Sequence, residues 1–128
     1  MRIEIKNVQM SDGEEDIIEE TAECKLYFKN GKIYIMYTSA ENVSVMIIIS
    51  DKETTVKRSG ETKNTMTFER NAKTLSWYNT PYGRFEIEIF TEKIMNALTE
   101  NGGNFRIIYT MTMQGQGIYN DMKISIKE

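Results

Sequence analysis

Apolar residues recur at every second position through most of the chain, and this alternation constrains the fold more than any other feature. Ile3 and Ile5 alternate with charged residues, and Cys24, Leu26 and Phe28 alternate with charged residues or tyrosine. A period of two places these apolar side chains on one face of a β-strand. The pattern therefore predicts strands that bury one face.

Turn signals separate these alternating runs. Asn30-Gly31 lies between two of them, and this pair favours a tight hairpin because both residues accept positive φ. Gly115-Gln116-Gly117 is predicted to turn between the last two strands. Other strands are predicted at Ile33 to Tyr37, Val43 to Ile49, Thr54 to Arg58, Thr65 to Glu69, Thr74 to Asn79 and Arg84 to Phe90.

Only the segment from Thr91 to Glu100 has two interpretations. Ile94, Met95 and Leu98 are spaced as on a short helix, and Asn101-Gly102 could end it. The alternation of the preceding strand can equally continue into this segment as a long bent strand. Both interpretations are open at this point.

About eight to ten short strands with tight turns and no long crossover predict an all-β fold, namely an antiparallel up-and-down β-barrel. A β-sandwich is the second choice. The 128 residues include one proline and no linker-like run, so we expect a single domain over residues 1–128. A barrel of this strand number can be filled by side chains or can hold one small ligand.

Missing residue types exclude several kinds of chemistry. The chain has no histidine, which rules out a Ser-His-Asp triad and a histidine-ligated zinc site. Its single cysteine, Cys24, cannot form an intrachain disulfide or a thiolate cluster, and a lone thiol fits a reducing compartment. We therefore expect neither an enzyme nor a bound cofactor or metal.

Charge and hydropathy bear on the partners. The net charge of −3 has the wrong sign for nucleic-acid binding. Acidic residues crowd between Asp12 and Glu23 without a Lys or Arg, which we interpret as a solvent-exposed edge. No apolar stretch approaches the roughly 20 residues of a membrane-spanning helix, and the N-terminus lacks a signal-peptide pattern. A cytoplasmic protein without a membrane or nucleic-acid partner is expected.

Several short segments occur in an order that resembles a known family. They are Asp12-Gly13-Glu14-Glu15-Asp16, Lys29-Asn30-Gly31-Lys32-Ile33-Tyr34, Arg58-Ser59-Gly60, Met66-Thr67-Phe68-Glu69, Tyr78-Asn79-Thr80-Pro81-Tyr82-Gly83, and Asn101-Gly102-Gly103 followed by Tyr109. Together they resemble the YwiB-like family of bacterial domains of unknown function, the DUF1934 family. The resemblance covers essentially the whole chain and implies a calycin- or lipocalin-like β-barrel. It implies no catalytic residues and no ligand.

The alternation also suggests where a ligand could bind. Arg58 shares the phase of Val56 and should point into the barrel, where a buried charge needs a partner. That partner could be a carboxylate such as Glu86 or Glu88, or the carboxylate or phosphate of a ligand. Phe68 and Trp77 lie on predicted apolar phases and would line the pocket, with Tyr82 at one rim.

Two functions follow from these predictions. The first is the binding of a small apolar or anionic ligand inside the barrel, through Arg58, Phe68, Trp77 and Tyr82. The second is a filled barrel that acts through its outer surface, as a homodimer or by docking another protein. Outward residues such as Tyr34, Ile48 and Ile108 would serve that second function.

Overall fold

The computed structural model describes all residues, 1–128, and consists of ten β-strands. The strands are β1 (Arg2–Ser11), β2 (Glu14–Lys29), β3 (Lys32–Thr38), β4 (Ser44–Ile49), β5 (Glu53–Ser59), β6 (Lys63–Glu69), β7 (Ala72–Thr80), β8 (Gly83–Thr99), β9 (Gly102–Met113) and β10 (Gln116–Lys127). None of these elements is a helix, so no helix is long and apolar enough to cross a membrane.

The ten strands form one antiparallel meander. Consecutive strands pair with each other from β1 to β6 and from β7 to β10, and β1 also pairs with β10. Arg2 lies opposite Lys127 in that last pairing, so the two termini are neighbours. The sheet order therefore begins at β6 and ends at β7, and the sheet curls into a nearly closed barrel. The predicted all-β, up-and-down barrel is confirmed.

Side chains join β6 to β7, where no backbone ladder is present. Asn64 Oδ1 accepts a hydrogen bond from the backbone N–H of Asn79 at 2.6 Å, and Asn79 Nδ2 donates to the carbonyl of Lys63 at 2.8 Å. Further along, the Thr74 hydroxyl donates to the carbonyl of Thr67. We call this line of contacts the seam. It satisfies backbone groups at both edges of the sheet, which would otherwise be exposed.

Tight hairpins explain the short connections. Asn30 and Gly31 have φ values of 53° and 75°, as expected for a two-residue turn with both φ positive. The final turn lies at Gln114-Gly115, with φ values of 53° and 80°. It therefore precedes the predicted position, and Gln116 already belongs to β10.

The ambiguous segment from Thr91 to Glu100 is extended and forms the second half of β8, so the helical interpretation is wrong. The inward alternation of Ile87, Ile89 and Thr91 continues into it, and a register shift lies between Thr91 and Lys93. Such a bulge changes the phase of the apolar residues. The changed phase is what gives Ile94 and Leu98 their helix-like spacing.

The hairpins define two ends of the barrel. The sealed end carries both termini and the turns at 30–31, 50–52, 70–71 and 100–101, whereas the open end carries those at 12–13, 39–43, 60–62, 81–82 and 114–115. Isoleucine dominates the buried core, and the fully buried side chains include Ile3, Phe105, Ile124 and Ile126. These positions lie toward the sealed end, which leaves the open end as the place for a site.

Candidate functional site

The open half of the barrel encloses a cavity of about 470 Å³. Its wall is mostly apolar, with 12 hydrophobic residues among the 16 that line it. The polar exceptions are Asn7, Gln9, Glu20 and Arg58. A few polar groups in an apolar cavity of several hundred Å³ are typical of small-molecule sites.

Methionines form a large part of this wall. Met66, Met111, Met113 and Met122 all line the cavity and come from three different strands. Their unbranched thioether side chains can adopt several rotamers at low cost, so they adapt to occupants of different shape. The cavity wall is therefore more deformable than the isoleucine core below it.

Arg58 lies at the mouth of the cavity and has no partner in the protein, but it is exposed to solvent rather than buried, so the expected buried charge is wrong. It forms no ion pair and no side-chain hydrogen bond. Two other arginines do have partners: Arg106 makes two hydrogen bonds to Asp121, at 2.8 and 2.6 Å, and Arg84 stacks over Trp77 at 4.4 Å. The expected pairing of Arg58 with Glu86 or Glu88 is absent, and Glu88 lies beside Lys73 instead.

Two buried tyrosines face the same cavity as Arg58. Burial, followed by the charge of Glu20, raises the pKa of Tyr37 to about 12, and burial raises the pKa of Tyr109 to about 12. The positive charge of Arg58 opposes both shifts, so its guanidinium lies near both phenols. Both phenols are protonated at neutral pH. The Tyr37 hydroxyl faces Glu20, whose carboxylate can accept its hydrogen bond, whereas the Tyr109 hydroxyl has no such partner and is available to a ligand.

A buried amide network forms another part of the wall. Asn120 is fully buried, and its Oδ1 accepts hydrogen bonds from Asn7 Nδ2 at 3.2 Å and Gln9 Nε2 at 2.9 Å. Its Nδ2 donates to the carbonyl of Ile118 at 3.0 Å. The Oδ1 of Asn7 is buried and has no partner. This network fixes the orientation of two cavity-lining amides and leaves one free acceptor.

Of the four residues predicted for the site, Arg58 alone lines the cavity. Phe68 is inward as predicted, but it lies in the core, where its ring meets Tyr109 edge-on with a centroid distance of 4.7 Å. It therefore supports the cavity floor through Tyr109. Tyr82 is in the turn at the open end with 96% of its surface exposed, and it does not reach the cavity.

The inward orientation predicted for Trp77 is wrong. Its side chain is 47% exposed and lies on the outer face of β7. Thr74, Ser76 and Tyr78 occupy the inward phase of that strand instead. Thr74 must face the seam to donate its hydrogen bond to β6, and this fixes the phase of the strand. The bulky apolar residues of β7 therefore stay outside.

Tyr37 and Tyr109 are among the site residues missing from the sequence predictions. Both share a phase with buried isoleucines, Ile35 for Tyr37 and Ile107 for Tyr109. A tyrosine on an inward phase brings a hydroxyl that needs a polar neighbour. This signal could have identified them.

The outward residues named for surface docking are less exposed than expected. Ile108 is only 8% exposed, so its use as a docking residue is wrong. Tyr34 stacks on Tyr27 at a centroid distance of 5.0 Å, and Ile48 is half-buried. These residues form no open apolar patch.

The remaining reactive groups do not add a second site. Cys24 is buried, and burial raises the pKa of its thiol, which lowers its reactivity. No group of three or more Cys, Asp or Glu side chains is placed to hold a metal ion. The polar and charged groups that could bind a small molecule are therefore those of the cavity.

Comparisons with known proteins agree with the barrel architecture. A family model described as a domain of unknown function, DUF1934, matches residues 3–126. The uncharacterised β-barrel protein YwiB of Bacillus subtilis is 30% identical over 112 residues, which cover 85% of this chain and 79% of that protein. The crystal structure of the ywiB protein superposes with a TM-score of 0.85 at 26% identity, covering 99% of this chain and 91% of the other.

Proposed function

The chain belongs to the DUF1934 family, whose description names no activity, and from the geometry of its barrel we propose that it binds a small apolar molecule with one anionic end. The single observation that carries this proposal is the unpartnered Arg58 at the mouth of an apolar cavity. A guanidinium without a protein carboxylate is well suited to bind a carboxylate or phosphate.

The polar groups around Arg58 support this ligand class. The hydroxyl of Tyr109 can donate to the same anionic group that Arg58 attracts. Glu20 also lines the cavity and carries the opposite charge. Its charge adds repulsion for each negative group that a ligand carries, so we expect ligands with a single anionic end to bind better than dicarboxylates. The methionine-rich wall would receive the apolar part of the molecule.

The alternative of a filled barrel has weaker support. A cavity of about 470 Å³ favours an internal ligand over a packed interior. The absence of histidine and of any recognisable catalytic motif supports a role in binding rather than catalysis. The calycin- or lipocalin-like character of the barrel and a cytoplasmic location belong to the same proposal. The lone buried thiol of Cys24 is consistent with that location.

Decanoate and decanol provide a direct test because they share an apolar chain and differ in charge. We would measure their displacement of the fluorescent apolar anion 8-anilinonaphthalene-1-sulfonate from the protein. We expect decanoate to compete and Arg58→Gln to weaken it at least about tenfold, since a charge-assisted contact contributes roughly 1.5–3 kcal/mol. Decanol should bind the variant and the parent protein equally.

Arg84→Gln is the matched control because it removes the same charge from the outer face of the barrel, where Arg84 stacks on Trp77. It should leave the affinity for decanoate within about twofold. The proposal is wrong if neither compound competes, or if Arg58→Gln and Arg84→Gln weaken decanoate equally.

A further inference from the structure

Part of β2 has a free backbone edge. Along Glu14–Glu23 this strand pairs with β1 only, because β3 covers β2 only from Cys24 to Lys29. The strand β3 ends at Thr38, and the chain then turns away. Ser39 holds this turn, since its backbone N–H donates to the carbonyl of Val43 at 2.9 Å. The position next to Glu14–Glu23 is therefore left without a strand.

The register identifies the backbone groups at this edge. The N–H of Cys24 donates to the carbonyl of Met1 at 2.8 Å, so even-numbered residues of β2 bond toward β1. In an antiparallel pair the alternate residues direct their N–H and C=O groups to the opposite side. The groups on the free side belong to Glu15, Ile17, Glu19, Thr21 and Glu23.

A groove extends the free edge toward the sealed end. It has a volume of about 870 Å³ and includes Glu23, Met36, Thr38 and Met46. Its lining combines the edge of β2 with residues of β3, β4 and β5, so it adjoins the free edge at Glu23. A chain bound along the free edge would reach the groove at that point.

Charge decides between the candidate occupants. The free stretch is rich in Asp and Glu and contains no Lys or Arg, while Ile17 and Ile18 are each 47% exposed. A second copy paired through the same edge would bring two acidic strands together, and like charges opposite each other destabilise a sheet. An extended segment with alternating basic side chains has the complementary charge. Lys25 and Lys57 line the groove. The basic part of the bound segment should therefore end before it reaches them.

We propose that the free edge of β2 at Glu14–Glu23 binds an extended, Lys- or Arg-rich segment of another protein as an added β-strand. Main-chain hydrogen bonds to the free groups supply affinity, as in other cases of strand addition. The acidic side chains select for basic partners and discourage self-association. This proposal does not depend on the ligand proposed for the cavity.

A synthetic peptide of about eight residues, with alternating Lys and Val, tests the proposal by fluorescence anisotropy. Two further versions carry backbone N-methyl groups on all lysines or on all valines. An added strand presents only one of these phases to β2, so we expect one version to bind at least about tenfold more weakly and the other within about twofold. A Glu-Val peptide should not bind.

Variants of the protein test the role of charge. The double substitution Glu15→Gln and Glu19→Gln should weaken the Lys-Val peptide by about five- to tenfold, and added salt should reduce the difference. Glu86→Gln with Glu92→Gln removes the same charge from exposed positions on β8 and should have little effect.

Three results would overturn the proposal. Equal weakening by both methylated peptides would indicate attraction by charge without strand pairing. Equal binding of the Glu-Val peptide would remove the basis for a basic partner. A concentration-dependent dimer in sedimentation experiments that excludes the Lys-Val peptide would identify a second copy as the occupant.

Discussion

The sealed and open ends of the barrel are built from the same strands but are stabilised differently. At the sealed end, isoleucine and phenylalanine side chains fill the interior. At the open end, methionines and polar groups surround a cavity, Arg58 lacks a partner, and β2 lacks a neighbour. The open end thus holds the cavity and the free strand edge, while the sealed end supplies most of the packed core. Such a division is expected where local rules are broken for function.

Core truncation should give the largest difference between the two ends. Ile124→Ala removes a fully buried side chain at the sealed end and should lower the free energy of unfolding by about 3–4 kcal/mol. Met111→Ala removes a side chain that already borders the cavity and should lower the free energy of unfolding by about 1 kcal/mol or less. Urea denaturation measures both. Equal losses would contradict the distinction between a packed and a deformable end.

Alkaline pH should act on the open end through its tyrosines. Burial raises the pKa of Tyr109 to about 12, above the ordinary value of about 10. Between these values the unfolded phenol ionises while the folded one keeps its proton. The associated stability is therefore complete below pH 10 and is lost as the pH rises through 12. The shift corresponds to about 2–3 kcal/mol at pH 12.

Tyr109→Phe should flatten the loss of stability between pH 10 and 12 by this amount, as measured by urea denaturation across that range. Tyr82→Phe removes a hydroxyl from a 96% exposed side chain and serves as the control. If both variants retain the alkaline slope of the parent protein, the raised pKa of Tyr109 is not supported.

The smallest expected effect concerns the seam near the open end. Asn64→Ala removes the acceptor of the Asn79 backbone N–H and should lower the free energy of unfolding by about 1–2 kcal/mol. Hydrogen exchange should show faster exchange of the Asn79 amide, while amides at the sealed end keep their protection. Asn104→Ala, at an exposed strand position, is the control. Faster exchange at both ends would show that the seam stabilises the whole barrel.

Much of the fold could be predicted from local alternation. The inward phase of Val45, Ile47 and Ile49 is clear in the sequence, and the strand order follows because nearly every connection is a hairpin. The phase of Arg58 was also predictable, because Val56 fixes the phase of its strand, but its exposure at the cavity mouth was not. In β7 the same reasoning failed, since hydrogen bonding across the seam rather than apolar burial determines which face Thr74 and Ser76 occupy.

The cavity and the free edge could not be predicted in this way. The cavity volume depends on side chains from most of the strands, so no local pattern encodes it. The free edge depends on where β3 stops relative to β2, which is a matter of pairing register. In the sequence, the acidic stretch indicated an exposed segment. Only the strand pairing connects it with unpaired backbone groups.

Because no backbone ladder joins β6 to β7, the chain could begin and end at the seam instead of between β1 and β10. The termini lie side by side, with Arg2 opposite Lys127, so a short linker between them would form one more hairpin. A cut between Arg70 and Asn71 would place new termini at the seam, where no backbone ladder would be lost between β6 and β7. Such a circular permutant would run from β7 through β10 and β1 to β6 as an unbroken meander. Every pairing in its sheet would then join neighbours in sequence.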